Sequence, residues 1–351
     1  MRIKWPIGRR IIKTGVAVFI TAILCHTMNL SASFAIITAI VTIEPTVHAS
    51  IKKGLIRLPA AAIGACFAVL CDILFGETAL TYALIAIFTL TTCASLKLDP
   101  STLVATLTAT AMVPGMVDVS ILDVLWRVTG SFIGITVSTF INFLILPPKF
   151  GPLLVQRIDE ISDHIGTSIQ SMMLNLLDSD QEPRERIDTY KKISEKIHDG
   201  YQLSSFQNDE WRYRTSSEHE RRSFDYLHKK LDHLNHLVIH LGKIAHLRLN
   251  QPISVQEKTY IMDTIQAFAD ILKDPFHQID TSVIVKVNQL SPLAANNQNM
   301  SPKTIEILYY ELQSIYVLLQ ELAQITKDER QYSFEEEQYP AYIFQKNWQY
   351  D

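Results

Sequence analysis

The chain has 351 residues, 48% of them hydrophobic, with 32 Lys/Arg against 36 Asp/Glu for a formal charge of −4, and its mean hydropathy of +0.11 is high for a soluble protein of this size. The acidic balance and the lack of a basic stripe argue against nucleic acid, and without a Gly-rich phosphate loop direct nucleotide drive has no support. The average conceals two unlike parts: residues 1–146 hold ten Lys/Arg and six Asp/Glu, a net of +4, which leaves −8 for the rest.

The first part predicts six helices across a lipid bilayer, near residues 11–30, 33–47, 55–75, 79–96, 101–117 and 122–146. Crossing a hydrocarbon core of about 30 Å takes ~20 mostly apolar residues, because lipid leaves backbone polar groups to be satisfied within the helix. The first run is longer than the apolar stretch of a secretory signal and five more follow it, so it reads as a permanent helix. The four cysteines, Cys25, Cys66, Cys71 and Cys93, all lie in these apolar runs and offer no disulfide framework. Basic residues mark alternate ends: Arg2, Lys4, Arg9, Arg10 and Lys13 precede the first helix, Lys52, Lys53 and Arg57 follow the second, Lys97 the fourth, and Lys149 and Arg157 the sixth. Acids mark the others: Asp72, Glu77, Asp118 and Asp123. Since Lys and Arg stay on the cytoplasmic side, the N-terminus and the large C-terminal part are both expected inside the cell membrane.

Within these helices a segment recurs. Arg57-Leu-Pro-Ala-Ala-Ala-Ile-Gly64 and Arg127-Val-Thr-Gly-Ser-Phe-Ile-Gly134 both place Ile-Gly six and seven residues after an arginine. The preceding runs, Thr38-Ala-Ile-Val-Thr-Ile-Glu44-Pro45 and Thr108-Ala-Thr-Ala-Met-Val-Pro114, also correspond. Three helices per copy would orient the copies oppositely, and inverted 3+3 repeats are a transporter architecture whose interrupted helices flank the substrate path. The second helix is interrupted at Glu44-Pro45 and the fifth at Pro114-Gly115, where proline removes a backbone donor. Pro45, Pro114 and Gly115 are therefore expected to line the path.

Glu44 is the only carboxylate between Lys13 and Lys52. An ionised group is costly in a bilayer and usually faces a cavity, so Glu44 is the candidate for proton coupling and substrate contact; a pair with Lys52 or Lys53 at the inner interface is the alternative. Arg57 and Arg127 are candidates for binding an anionic substrate, because the guanidinium fork suits a carboxylate. Arg57 can equally serve as a cytoplasmic anchor and Arg127 can pair with Asp123 one turn earlier.

From residue 149 the pattern becomes amphipathic, with helices near 153–177, 184–205, 217–249, 254–272 and 301–327, a helical bundle over 149–332 and a loosely ordered acidic and aromatic tail over 333–351. Ser217 with Glu220 reads as a capping box and Ser301-Pro302 as a capped start. Leu227, Leu231, Leu234, Val238, Leu241 and Ala245 form a core-facing stripe. His233, His236 and His240 share one face, but no third ligand from another helix can be named, so neither a metal nor another cofactor is expected.

The six helices, Glu44-Pro45-Thr46 and the paired arginine-to-glycine segments resemble the aromatic acid exporter family, related to fusaric acid resistance proteins. The C-terminal part, with Trp211-Arg-Tyr-Arg-Thr215 before a long helix, is similar to the cytoplasmic domain of one bacterial branch. The resemblance implies proton-coupled export of aromatic or other small organic acids by an all-α membrane protein that is not an enzyme and forms a dimer. The first copy departs from the family's Gly-Thr after the arginine, having Ala60-Ala61, while the second has Gly130-Ser131. The other reading is a membrane-anchored sensor or scaffold that acts through its cytoplasmic helical domain.

Overall fold

The computed structural model describes residues 8–113, 121–145, 150–178, 183–213, 215–249, 253–295 and 304–335. Twelve helices and no strands occur among them. The chain divides into two units: Met1–Pro148 with Asn208–Arg214, and Lys149–Gln207 with Thr215–Asp351.

The first unit holds α1 (Arg9–Thr27), α2 (Ala32–Thr42), α3 (Val47–Phe75), α4 (Ala79–Ser95), α5 (Asp99–Thr110) and α6 (Ile121–Leu144). Three segments, Arg10–Thr27, Val47–Phe75 and Val124–Leu144, are long and apolar enough to cross a membrane, and Ala32–Thr42 and Ala79–Ser95 are shorter apolar helices. Three of the sequence boundaries need correction: the fifth helix ends at Thr110, short of 117, and the other two lie at the break after the second helix. The second helix ends at Thr42, short of 47, because Pro45 has no N–H to donate and the chain turns extended at Ile43, with ψ of 100°. The third starts at Val47, well before 55, with the Thr46 hydroxyl accepting from the Ala49 N–H at 3.1 Å. Lys52, Lys53 and Arg57 therefore lie inside α3, outside any connection, and Pro59 sits within the helix without marking its start. Helix α5 opens with Pro100 in its first turn; Pro114 and Gly115 lie outside the described residues.

Packing in this unit follows a rule. Helix α2 lies along α6 as α5 lies along α3; α1 touches α6 and α2 as α4 touches α3 and α5; and α3 meets α6. These seven pairings map onto one another when α1, α2 and α3 are exchanged with α4, α5 and α6, and a small α2–α3 contact stands outside the set. The contacts carry this to single residues at an offset of 70. A Cβ on Gly64 would stand 3.0 Å from the Ala105 carbonyl oxygen and 3.2 Å from the Ala109 Cβ; one on Gly134 would press into the Ala35 carbonyl oxygen and stand 3.2 Å from the Ala39 nitrogen. Small residues let these backbones approach, as in membrane helix pairs. The interior is built from Ala65, Ala68, Cys71, Ala109 and similar side chains, while Phe19, Leu103, Leu107, Phe132 and Phe140 face outward. Small inside and large apolar outside is the reverse of a water-soluble core.

The second unit comprises α7 (Phe150–Leu177), α8 (Arg184–Trp211, ending within the first unit), α9 (Glu218–His246), α10 (Val255–Lys273), α11 (Thr281–Ala295) and α12 (Thr304–Glu335). Helix α7 packs on α9 and α10, α9 on α12, and α11 touches α10 and α12. The predicted stripe from Leu227 to Ala245 is buried throughout, with Ile161, Ile165, Phe268 and Leu312 among its buried companions in this unit. Each fully buried Leu, Ile or Phe contributes about 1.5–3 kcal/mol. Ser254 and Glu257 close a reciprocal capping box, whereas Ser217 accepts from the Glu220 N–H alone. Helix α11 was not predicted, and Ser301-Pro302 lies outside the described residues.

Candidate functional site

The break between α2 and α3 gathers polar groups because both helices stop there. Arg57 sits about three turns into α3, which directs its long side chain back toward the α2 C-terminus. Its Nη1 donates to the Thr42 hydroxyl at 3.1 Å and its Nη2 to Glu44 Oε1 at 3.4 Å. Lys53, one turn earlier on α3, reaches Glu44 Oε2 at 3.1 Å. Arg57 is 5% exposed and Glu44 14%, so the carboxylate bridges a buried cation and a half-exposed one. Of the two pairings foreseen for Glu44, Lys53 makes it and Lys52 does not.

Asn142 on α6, 1% exposed, binds the same break from the far side. Its amide donates to the carbonyls of Glu44 and Thr46 at 3.0 and 3.3 Å and to Ser50 Oγ at 2.9 Å, and its oxygen accepts from Lys13 Nζ at 2.8 Å. Three helices, α1, α3 and α6, and the α2–α3 break thus meet at one side chain. Lys13, expected ahead of the first helix as a cytoplasmic marker, lies inside α1, and Asn142 escaped the sequence reading. A polar amide embedded in the apolar run Phe140-Ile-Asn142-Phe-Leu was the available signal, since such a group is retained in a membrane helix only with partners.

Arg127 on α6, 3% exposed, has a different setting. Its Nη2 donates to the Thr108 hydroxyl at 2.5 Å, its Nη1 lies 3.2 Å from the Met112 sulfur, and its guanidinium stands 5.0 Å from the centre of the Phe34 ring. No carboxylate pairs with it among the described residues; the Asp123 side chain, its foreseen partner, and Asp118 lie outside them. The Nε atoms of both arginines are buried without an acceptor.

The two arginines correspond at the same offset of 70: Thr38 and Thr108, Thr42 and Met112, and Glu44 and Pro114 occupy equivalent positions. Aligning the copies on their prolines hides this register; aligning them on Arg and Gly exposes it. The structure brings Glu44 and Arg57 together, places Pro45 in the break beside them, and sets Arg127 against α5.

On α9 the histidine face meets α12: His240 Nδ1 lies 2.5 Å from Glu311 Oε2, Lys243 Nζ donates to Glu311 Oε1 at 3.1 Å, and His233 Nε2 lies 3.2 Å from Glu321. Among the described residues no group of three or more His, Cys, Asp or Glu is arranged to hold a metal ion.

Residues 5–145 match the model of aromatic acid exporter family member 1. Over nearly its whole length the chain is similar to UPF0421 proteins: 45% identical to one from Halalkalibacterium halodurans, covering 98% of this chain and 96% of that one. It is 35% identical to one from Bacillus cereus, covering 92% and 94%, and 36% identical to one from Staphylococcus aureus, covering 90% and 97%.

Proposed function

Because this chain belongs to the UPF0421 proteins and its residues 5–145 match the aromatic acid exporter family model, we propose that it is a secondary transporter that carries aromatic or other small organic anions out of the cell. The observation that carries the proposal is the Arg127 guanidinium. It is buried, lies over an aromatic ring, leaves its Nε without an acceptor and has no carboxylate partner among the described residues. A cation so desolvated is costly unless a counter-charge arrives, and a carboxylate substrate supplies one through the planar fork.

In this reading α1 to α6 form the membrane domain over 1–148 as two inverted copies, with α2 and α5 as the interrupted helices and Pro45, Pro114 and Gly115 at the breaks. The N-terminus and residues 149–332 face the cytoplasm, the tail follows at 333–351, and two copies of the chain pair in the membrane. Glu44 is the proton carrier: ionised, it holds Arg57 while an anion leaves on Arg127, and protonated from the outer side it releases Arg57 for the return step, so a proton enters as an anion exits. Proton and anion movement are coupled through that exchange.

The test is flux in liposomes holding the purified full chain, loaded with a panel of aromatic and aliphatic carboxylates under an imposed pH gradient. Counterflow or gradient-driven movement of an aromatic carboxylate, lost in Arg127→Ala, supports the proposal. Absence of movement across the panel, with protein of intact fold, rejects it.

A further inference from the structure

The second unit carries a cleft that the transport reading leaves unused. It has a volume of about 710 Å³, within the ~300–1,000 Å³ typical of small-molecule sites, and lies between the α10–α11 turn and the outer face of α12. Its walls include Phe276, His277, Tyr316, Gln320, Lys327 and Arg330.

The turn is built to hold Phe276 outward. The Asp274 carboxylate accepts from the N–H groups of Phe276 at 3.2 Å and Gln278 at 2.9 Å. His277 takes a left-handed φ of 50°, and its buried ring donates from Nδ1 to the Ile271 carbonyl at 2.9 Å. Phe276 is left 42% exposed, a large apolar side chain fixed at the surface on a rigid mount. The Arg330 guanidinium lies 4.2 Å from its ring centre, within cation–π range.

Charge completes the site. Arg330 and Lys327, one turn apart on α12, form no ion pair among the described residues. Neighbouring acids have other partners: Asp274 holds its turn, Asp328 accepts from Gln324 at 2.7 Å and Glu329 pairs with Lys230. Among the described residues, two cations without an ion pair, an exposed aromatic face and side-chain amides line the concavity, and no acid is part of that lining.

We propose that this cleft binds a small aromatic carboxylate. The ligand ring extends the Arg330–Phe276 stack over the exposed part of Phe276, and its carboxylate takes the outer edge of the Arg330 fork together with Lys327. A nucleotide fits less well, since the lining among the described residues holds no glycine-rich nest for phosphates. The site stands whether or not the membrane helices transport.

The experiment is calorimetric titration of the full-length chain in nanodiscs with salicylate, in an Arg127→Ala background so that an anion site on α6 makes no contribution. Saturable binding is expected there, weakened at least about tenfold by Lys327→Gln with Arg330→Gln and again by Phe276→Ala, which is ~1.4 kcal/mol or more each. Benzamide, without the charge, and cyclohexanecarboxylate, without the aromatic ring, are expected to bind at least about fivefold more weakly than salicylate. Matched melting profiles establish that the variants are folded, and all three residues changed are at the surface. Absence of salicylate binding in Arg127→Ala, unchanged binding in either cleft variant, or ATP binding in place of salicylate overturns the proposal.

Discussion

Arg57 and Arg127 stand at equivalent positions of two copies of one helical pattern, yet among the described residues a carboxylate meets only Arg57. The chain places Glu44 on the first guanidinium and proline at the matching position 114 of the second. Two sites with one ancestry in geometry thus differ in charge: one is internally neutralised, while the other is a buried cation with a hydroxyl, a thioether and an aromatic ring around it.

Transport by the Arg127→Ala variant is expected to fall at least about tenfold, and Arg127→Lys to recover little, because an ammonium has no fork to engage a carboxylate. Proteoliposome flux at matched protein density measures this. Wild-type rates in Arg127→Ala would remove Arg127 from the path.

Glu44→Gln takes the charge from a group that holds both Arg57 and Lys53. Loss of a hydrogen bond between charged groups here is expected to cost about 1–3 kcal/mol, with Lys53 contributing little because it is 41% exposed. The coupling reading predicts more: residual flux in Glu44→Gln should no longer vary with the imposed pH difference. A pH dependence equal to that of the wild type would assign Glu44 a purely structural role.

Four glycines give a graded series. Gly15 has open space around the site of a Cβ, and Gly15→Ala is expected to raise stability by up to about 1 kcal/mol through helix propensity. Gly130→Ala makes only ordinary contact with Ala35 at 3.8 Å, and Gly64→Ala must displace α5 slightly at 3.0 Å. Gly134→Ala drives its methyl into the α2 backbone, which cannot rotate away, and should cost about 1–3 kcal/mol or more. Thermal melts followed by size-exclusion chromatography rank the four, and a stable Gly134→Ala with an unstable Gly130→Ala would refute the packing described.

Burial pushes the His277 imidazole below its ordinary range, the nearby Lys230 charge adds to the shift, and the bond to Ile271 and the Asp274 carboxylate oppose it. The unfolded chain then binds the proton more readily than the folded one. Stability from this residue is full above pH ~6.5, is lost as pH falls from there through the lower folded-state value, and levels off below it. His277→Asn, which tolerates the left-handed backbone, should flatten the melting temperature of the second unit between about pH 5 and 7. An unaltered slope would contradict the assignment.

Much of this was legible in the chain. The arginine-to-glycine spacing, the broken second helix and the stripe from Leu227 to Ala245 follow from periodicity and proline alone. The start of α3 did not, because Lys52, Lys53 and Pro59 resemble the end of one helix and the beginning of another; the Thr46 cap outweighs them. Helix α11 was hidden by its short length and by Pro292. The partners of Glu311 were invisible for a different reason: His240 and Lys243 stand on one face of α9, but the helix that faces them is set by tertiary packing.

Helix α2 has 11 residues and α5 has 12, which at 1.5 Å per residue gives each a rise of about 16–18 Å, little more than half of a ~30 Å hydrocarbon core. If water reaches their ends in a bilayer, the membrane voltage drops across that shorter layer and the local electric field nearly doubles. A single charge still gains ~2.3 kcal/mol per 100 mV, but it does so over half the distance. An anion leaving past α2 and α5 would thus be driven electrically as well as chemically, and its exit rate should follow the membrane potential even where the pH on the two sides is equal.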